Sequence, residues 1–149
     1  MATRDDIYRK FGITAEAAQL LETELGTLLM ACHGLKKEVW KDGKKREANE
    51  IYRKIDKSTL GMIISQVKQN VSIEENTESK LAEALRIRNK LFHSFCWSHN
   101  FKIETNEGRD EMMLDLEEMH EKLSHAYTIS QAMAQAMMNL VMKVIPKDT

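Results

Sequence analysis

The stretch RIRNKLFHSF, residues 86–95, carries the side chains of this sequence that are best suited to chemistry. Arg88 is followed directly by Asn89 and, five residues on, by His93, within a run whose Leu and Phe residues have helical spacing. A guanidinium binds anions through a planar fork of donors, and an imidazole exchanges protons near neutral pH. These residue types therefore suit a site that holds an anionic group and moves a proton.

Helical geometry places one of these polar residues inside the apolar stripe of the segment. With Leu81 at zero and each residue turned by about 100°, Arg88 falls at about 340°. Asn89, His93 and Arg86 fall on one flank, at about 80°, 120° and 140°. The stripe itself is apolar and consists of Leu81, Ala84, Leu85, Leu91, Phe92, Phe95 and Cys96.

An arginine on an apolar stripe has two interpretations, because such a charge is costly unless it is paired or faces water. In the first, Arg88 pairs with a glutamate of another helix and sets the helix register, while His93 bonds to backbone. In the second, Arg88 and His93 border a polar groove, and two copies of the helix could close one site. Periodicity alone favours the ion pair.

The sequence contains only weak patterns for a metal site or a redox site. Glu117 and His120 form one Glu-x-x-His, a motif that di-iron bundles use twice, and no second copy occurs. We therefore predict neither a metal nor another cofactor. Cys32 and Cys96 both fall on apolar helical faces, which predicts buried thiols of a reducing compartment.

The composition is that of a helical globular protein. The chain has 149 residues, of which 30% are charged and 42% hydrophobic, and we expect one domain over residues 1–149. Six Gly and one Pro are too few for an all-β fold and favour long helices. The N-terminus lacks the apolar core of a secretory signal, and no apolar run has membrane-spanning length. These features predict a cytoplasmic protein without membrane contact.

Charge is distributed unevenly, although the formal net charge is only −1 and gives no argument for nucleic acid. Residues 36–57 hold nine Lys or Arg against five Asp or Glu, a local net of +4. Residues 104–121 hold eight acidic residues against one Arg, a local net of −7. The basic segment is a weak candidate for steering phosphates, since charge runs usually mark a solvated face.

Hydrophobic periodicity predicts an all-α fold, an up-down bundle of four to five helices. Residues 1–12 form a leader, and Thr14 caps the first helix. A loop and short helix over residues 41–54 precede a second core helix capped by Asp56 or Ser58. The third helix runs from about Glu78 to about Ser98, and an irregular or hairpin insertion follows, with NEG as a turn signal.

The last helix is the longest and the richest in methionine. Its apolar positions keep a four-three step from Met112 to Val144, and seven of the ten methionines lie between Met112 and Met142. The excess apolar surface of its second half has two equal interpretations. It fills an irregular core, or it meets a second subunit.

The sequence RNKLFH resembles the signature of the HEPN superfamily, small helical domains of which many are ribonucleases. That signature is an Arg, four to six residues and a His, usually with a polar residue after the Arg. Arg88, Asn89 and His93 match it at the four-residue spacing. In sequence the resemblance covers this stretch, and in predicted architecture it covers the whole chain.

The resemblance implies a metal-independent endoribonuclease that acts as a homodimer, with the two motifs facing each other. It implies that His93 transfers protons, that Arg88 stabilises the charged transition state, and that Asn89 orients the histidine or a phosphate oxygen. Arg86, on the same flank as His93, is a candidate for binding the RNA backbone. Members of the superfamily often act in toxin–antitoxin or anti-phage systems, so an inhibitory partner protein is possible.

One departure separates this sequence from a toxin branch of that superfamily, which has a Tyr two residues after the His. That Tyr receives nucleotides from the partner antitoxin, and here the position is Phe95, which has no hydroxyl. The alternative function is a non-catalytic helical interaction or regulatory module of the same architecture. A nuclease assay separates the two.

Overall fold

A computed structural model describes residues 1–147, which form helices and connecting turns without a β-strand. The all-α prediction is thus confirmed for these residues. Within this range there are six α-helices and one 3-10 turn: α1 (Arg4–Lys37), α2 (Lys45–Asp56), α3 (Leu60–Asn70), α4 (Glu75–His93), α5 (Phe95–Ser98), the 3-10 turn (Lys102–Glu104) and α6 (Asn106–Val144). The insertion before the last helix is this 3-10 turn with its flanking turns, and not a hairpin.

The first helix begins earlier than its sequence pattern indicates. Thr3 and Asp6 form a capping box, since the Asp6 carboxylate accepts from the Thr3 amide at 2.8 Å and the Asp6 amide donates to the Thr3 hydroxyl at 3.1 Å. The predicted leader is therefore wrong. Thr14 lies fully buried inside α1 and its hydroxyl donates to the Lys10 carbonyl at 2.8 Å, so it is not a cap.

The short α2 and the core helix α3 lie where the periodicity predicts them, but the cap between them differs. Thr59, in an extended conformation, accepts a hydrogen bond from the Met62 amide at 3.3 Å. It occupies the N-cap position that the sequence assigned to Asp56 or Ser58. Ser58 instead donates its hydroxyl to the Lys54 carbonyl at the end of α2.

Contacts group the chain into two compact units, and α1 and α6 contribute residues to both. The first unit comprises Met1–Leu21 and Glu75–Tyr127, and contains all of α4 and α5. Its buried side chains include Ile7, Leu21, Leu81, Ile87, Leu91, Phe95, Met112, Leu116 and Leu123. The second unit comprises Glu22–Glu74 and the chain from Thr128 onward, with a core that includes Leu25, Leu28, Leu29, Leu60, Ile63 and Val67.

The second half of α6 buries less apolar surface than its four-three pattern predicts. Ser130 and Ala134 are buried, whereas Leu140 and Val144 are about half exposed. A straight helix drifts by about 20° per heptad against a 3.5-residue repeat, so the predicted seam turns away from the core. Met138 and Met142 are exposed as well. No helix among residues 1–147 is long and apolar enough to cross a membrane.

Candidate active site

The last two turns of α4 present the three predicted catalytic residues. The helix buries Leu81, Ala84, Ile87 and Leu91, and this stripe leaves Asn89 and His93 exposed and Arg88 half-buried at its margin. Asn89 and His93 are four residues apart, as are Arg88 and Phe92. Residues at this spacing are neighbours on a helix surface, so the two pairs lie side by side.

The guanidinium of Arg88 is held along the helix surface. Its central carbon lies 5.0 Å from the centroid of the Phe92 ring, a cation–π contact. Its Nη1 donates to the Asn89 side-chain oxygen at 3.4 Å. Arg88 thus reaches from the edge of the apolar stripe toward the face that carries His93.

His93 is the last residue of α4 and is exposed to solvent. Within the described range, no hydrogen bond or ion pair joins its imidazole to another side chain. His93 is therefore accessible from solvent at the end of α4.

The predicted third helix does not continue to Ser98. The backbone leaves the α-region at Ser94 (φ −141°, ψ −1°), and α5 begins at Phe95. Phe95 is buried, and its ring centroid lies 5.7 Å from that of Phe11 and 4.6 Å from that of His99. The position two residues after His93 is therefore a core position.

The break at Ser94 also explains why the two cysteines differ in burial. Cys32 is buried, as predicted, but Cys96 is exposed on α5. The helical wheel that placed Cys96 on the apolar stripe assumed a continuous helix. Because the chain turns at Ser94, that phase relation is lost, and the prediction of a buried Cys96 is wrong.

Arg86 lies on a different part of α4 from Arg88. Its Nη2 is 3.7 Å from a carboxylate oxygen of Glu83, and its side chain borders a groove of about 240 Å³ between α4 and α6. Lys122 crosses this groove, with its Nζ 2.8 Å from Glu83 and 2.9 Å from Glu118. Arg86 thus pairs with Glu83 at the edge of a groove that holds both acidic and basic side chains.

A buried histidine that the sequence pattern did not single out lies just beyond α5. The Nε2 atom of His99 is 2.6 Å from the Asp115 carboxylate, which also accepts from Lys90 Nζ at 3.0 Å. The side chain of His99 is only 9% exposed, and its Nδ1 has no hydrogen-bond partner among the described atoms. Nothing in the sequence spacing pairs His99 with Asp115, because only the packing of α6 against α4 brings them together.

Burial acts to raise the pKa of Asp115, but the hydrogen bonds from His99 and Lys90, together with the Lys90 charge, outweigh it and lower the pKa. Other carboxylates of the acidic segment 104–121 are also paired within their own unit: Glu104 with Arg4, Glu111 with Lys102 and Glu118 with Lys122. Much of the charge of this segment is therefore balanced locally.

Asp115→Asn is expected to lower the free energy of unfolding by about 1.5–3 kcal/mol at neutral pH, since it leaves His99 and Lys90 without their anion. The lowered pKa means that the contribution of Asp115 is full above about pH 4 and is lost as the pH falls through its lower folded value. Melting curves of variant and wild type should therefore converge in acid. Glu117→Gln, an exposed change on α6, is the control, and a gap that stays constant with pH would contradict the assignment.

The Glu-x-x-His of α6 shows no features of a metal site. His120 lies 3.5 Å from Lys10 Nζ and 3.3 Å from the Ser124 hydroxyl, and Glu117 is exposed. Burial and the Lys10 charge lower the pKa of His120. Among residues 1–147, no group of three or more His, Cys, Asp or Glu is arranged to hold an ion.

Comparisons with protein-family models, curated proteins and solved structures found no significant match to this chain.

Proposed function

We propose that this chain is a metal-independent endoribonuclease of the HEPN type, acting in the cytoplasm. The observation that carries the proposal is the exposed face of α4 that bears Arg88, Asn89 and His93. On it the guanidinium is already oriented by the Phe92 ring and the Asn89 side chain. An ordered arginine and an exposed histidine five residues further along the same helix support anion binding coupled to proton transfer.

The reaction that suits these residues is attack by a ribose 2′-hydroxyl on the adjacent phosphorus. His93 accepts the hydroxyl proton, and the forming O2′–P bond displaces the 5′-oxygen of the next nucleotide. Arg88 donates hydrogen bonds to the non-bridging oxygens as negative charge accumulates. The departing 5′-oxygen takes up a proton from water, and His93 later returns its own proton to water. The products are a 2′,3′-cyclic phosphate and a 5′-hydroxyl, so the step needs no external nucleophile.

Two further residues have supporting roles in this proposal. Asn89, one helical turn before His93, orients the imidazole or holds a phosphate oxygen. Arg86 is proposed to bind the RNA backbone, although it borders the groove that contains Glu83 and Glu118. We propose that a homodimer completes the site, with one α4 from each copy, and that the protein serves as a toxin or in anti-phage defence under control of an inhibitory partner.

One observation favours the alternative, a non-catalytic helical interaction module. The second half of α6 exposes Met138, Leu140, Met142 and Val144, a larger apolar surface than a solvated helix needs. Such a surface supports binding to a second copy or to another protein. It is compatible with a dimeric nuclease as well.

The test of the proposal is cleavage of a mixed pool of single-stranded RNA by the purified chain. Cleavage is expected to continue in excess EDTA and to leave cyclic phosphate ends, because the nucleophile is the 2′-hydroxyl and no ion is needed. A matched oligonucleotide with one 2′-deoxy sugar at the preferred cleavage position should be resistant there. Cleavage of the deoxy position, or loss of activity in EDTA that Mg²⁺ restores, would contradict the mechanism.

A further inference from the structure

Two large aromatic side chains are exposed directly after the helix that carries the candidate site. Trp97, on α5, is 81% exposed, and Phe101, before the 3-10 turn, is 78% exposed. Trp97 follows His93 by only four residues. Large aromatic rings in a folded chain are usually at least partly buried, so two such rings within eight residues of His93 need an explanation.

The backbone that carries these rings is held in place between the two rings and after the second one. His99, between them, is buried against Phe95 and bonded to Asp115. Past Phe101, the guanidinium of Arg109 donates to the Ile103 carbonyl at 2.9 Å. The exposed rings therefore project from an anchored segment and not from a loose loop.

The conformation of Phe101 itself is unfavourable for a residue with a side chain. Its φ of 58° lies in the left-handed region, where a non-glycine residue costs roughly 1–2 kcal/mol. Such strained residues cluster at functional sites. The left-handed conformation of Phe101 starts the 3-10 turn and leaves the Phe101 ring in solvent.

The aromatic pair is small for a protein interface but matches the size of nucleobases. Two rings supply at most roughly 400 Å², about half of what one partner contributes to a standard protein–protein interface. The neighbouring chain positions carry exposed polar side chains, among them Ser98 and Asn100. Flat apolar faces among hydrogen-bonding groups suit unpaired bases, whose stacking on an aromatic side chain contributes about 1–3 kcal/mol per base.

We propose that Trp97 and Phe101 stack on unpaired bases of single-stranded RNA whose phosphate lies at Arg88 and His93. This inference rests on the proposed function and specifies its substrate class. A base-paired strand would not stack on Trp97 and Phe101, because its bases are already stacked in a duplex. The chain should therefore prefer single strands, with little dependence on base identity.

The experiment measures binding separately from cleavage. A fluorescent 2′-fluoro RNA of roughly 12 nucleotides, within the site sizes of single-strand binders, lacks the nucleophile and stays intact. Fluorescence anisotropy with the wild-type chain is compared with Trp97→Phe and Trp97→Leu. We expect the leucine variant to lose about tenfold in affinity and the phenylalanine variant to keep its affinity within about threefold, because only phenylalanine retains an aromatic face. Phe101→Leu should weaken binding similarly.

Tyr52→Leu is the matched control, an exposed aromatic on α2 in the other unit, and should bind as the wild type does. In a Trp40→Phe background the only tryptophan is Trp97, and its emission should be quenched on addition of RNA. Circular dichroism verifies that each variant is folded.

Equal affinity of all variants, or equal loss in the leucine and phenylalanine variants, would overturn the inference. Loss of affinity together with conversion of a dimer to a monomer would assign the pair to a second copy and would also overturn it. If His93→Ala abolishes cleavage but the Trp97 variants bind RNA as the wild type does, only this inference fails. If the Trp97 variants lose affinity as expected but His93→Ala cleaves RNA at the wild-type rate, the nuclease proposal fails.

Discussion

Replacing His93 by alanine is expected to reduce the rate of RNA cleavage by roughly 10²- to 10⁴-fold, the usual contribution of a general acid–base group. The helical fold should be unchanged, since His93 is exposed and no described side chain bonds to it. Cleavage is measured on a labelled single-stranded RNA, and the fold by circular dichroism and melting temperature. Arg88→Ala should lose activity similarly, because it removes the guanidinium that donates two hydrogen bonds to the developing phosphate charge.

The controls for these variants come from the same chain. His125→Ala removes an exposed histidine of α6, and Arg46→Ala removes an exposed arginine of α2. Both should cleave RNA at the wild-type rate. Arg88→Lys keeps the charge but loses the planar fork, so its activity should lie between those of Arg88→Ala and the wild type.

Two results would contradict the assignment. The first is full activity in a purified variant that lacks both Arg88 and His93, which would attribute cleavage to other residues or to a contaminant. The second comes from light scattering of the same wild-type preparation at micromolar concentration. A particle of 17.2 kDa that still cuts RNA would exclude a site shared between two copies.

Gly108→Ala is expected to destabilise the chain by at least about 2 kcal/mol, a large effect for the addition of one methyl group. A Cβ atom at Gly108 would lie 2.1 Å from the Lys102 carbonyl oxygen and 2.7 Å from two further backbone atoms of that residue. Backbone cannot rotate away as a side chain can. Either the 3-10 turn or the start of α6 must move, and the Thr105 cap on the Gly108 amide would be disturbed.

Urea denaturation measures this loss, and Gly12→Ala is its control. Gly12 is an exposed glycine inside α1 with nothing within 4 Å of its Cβ position. Alanine there should stabilise the chain by about 0.5–1 kcal/mol, because it removes the entropic cost of a helical glycine. Equal stability of Gly108→Ala and the wild type would show that the two backbones are not in close contact.

The role of Gly108 illustrates what the sequence pattern could not provide. The sequence NEG predicts a turn, because Asn and Gly favour turns. In the structure Asn106, Glu107 and Gly108 form the first turn of α6, and glycine is required by the approach of Lys102. The sequence does not distinguish a glycine required by a turn from a glycine required by a close backbone contact, because the contact depends on tertiary packing.

Helix boundaries likewise depend on features that the sequence pattern alone does not determine. The existence of α2, α3, α4 and α6 follows from periodicity, since the apolar spacing of a helix is a local property. Their ends depend on which of several polar residues supplies the cap. Thr3 and Thr59 cap helices, whereas Thr14 is buried within one, and each is a plausible cap by type.

For the candidate site, the sequence alone placed Arg88, Asn89 and His93 on one helix, with Asn89 and His93 on the same flank, because helical spacing is set by local geometry. Tertiary structure decided which side of that helix is buried, and thus that His93 is exposed while Leu91 and Phe95 form core. It also decided that the chain turns at Ser94, that His99 meets Asp115, and that Trp97 and Phe101 face solvent. These features depend on contacts between residues far apart in the chain, which no local pattern of residue types records.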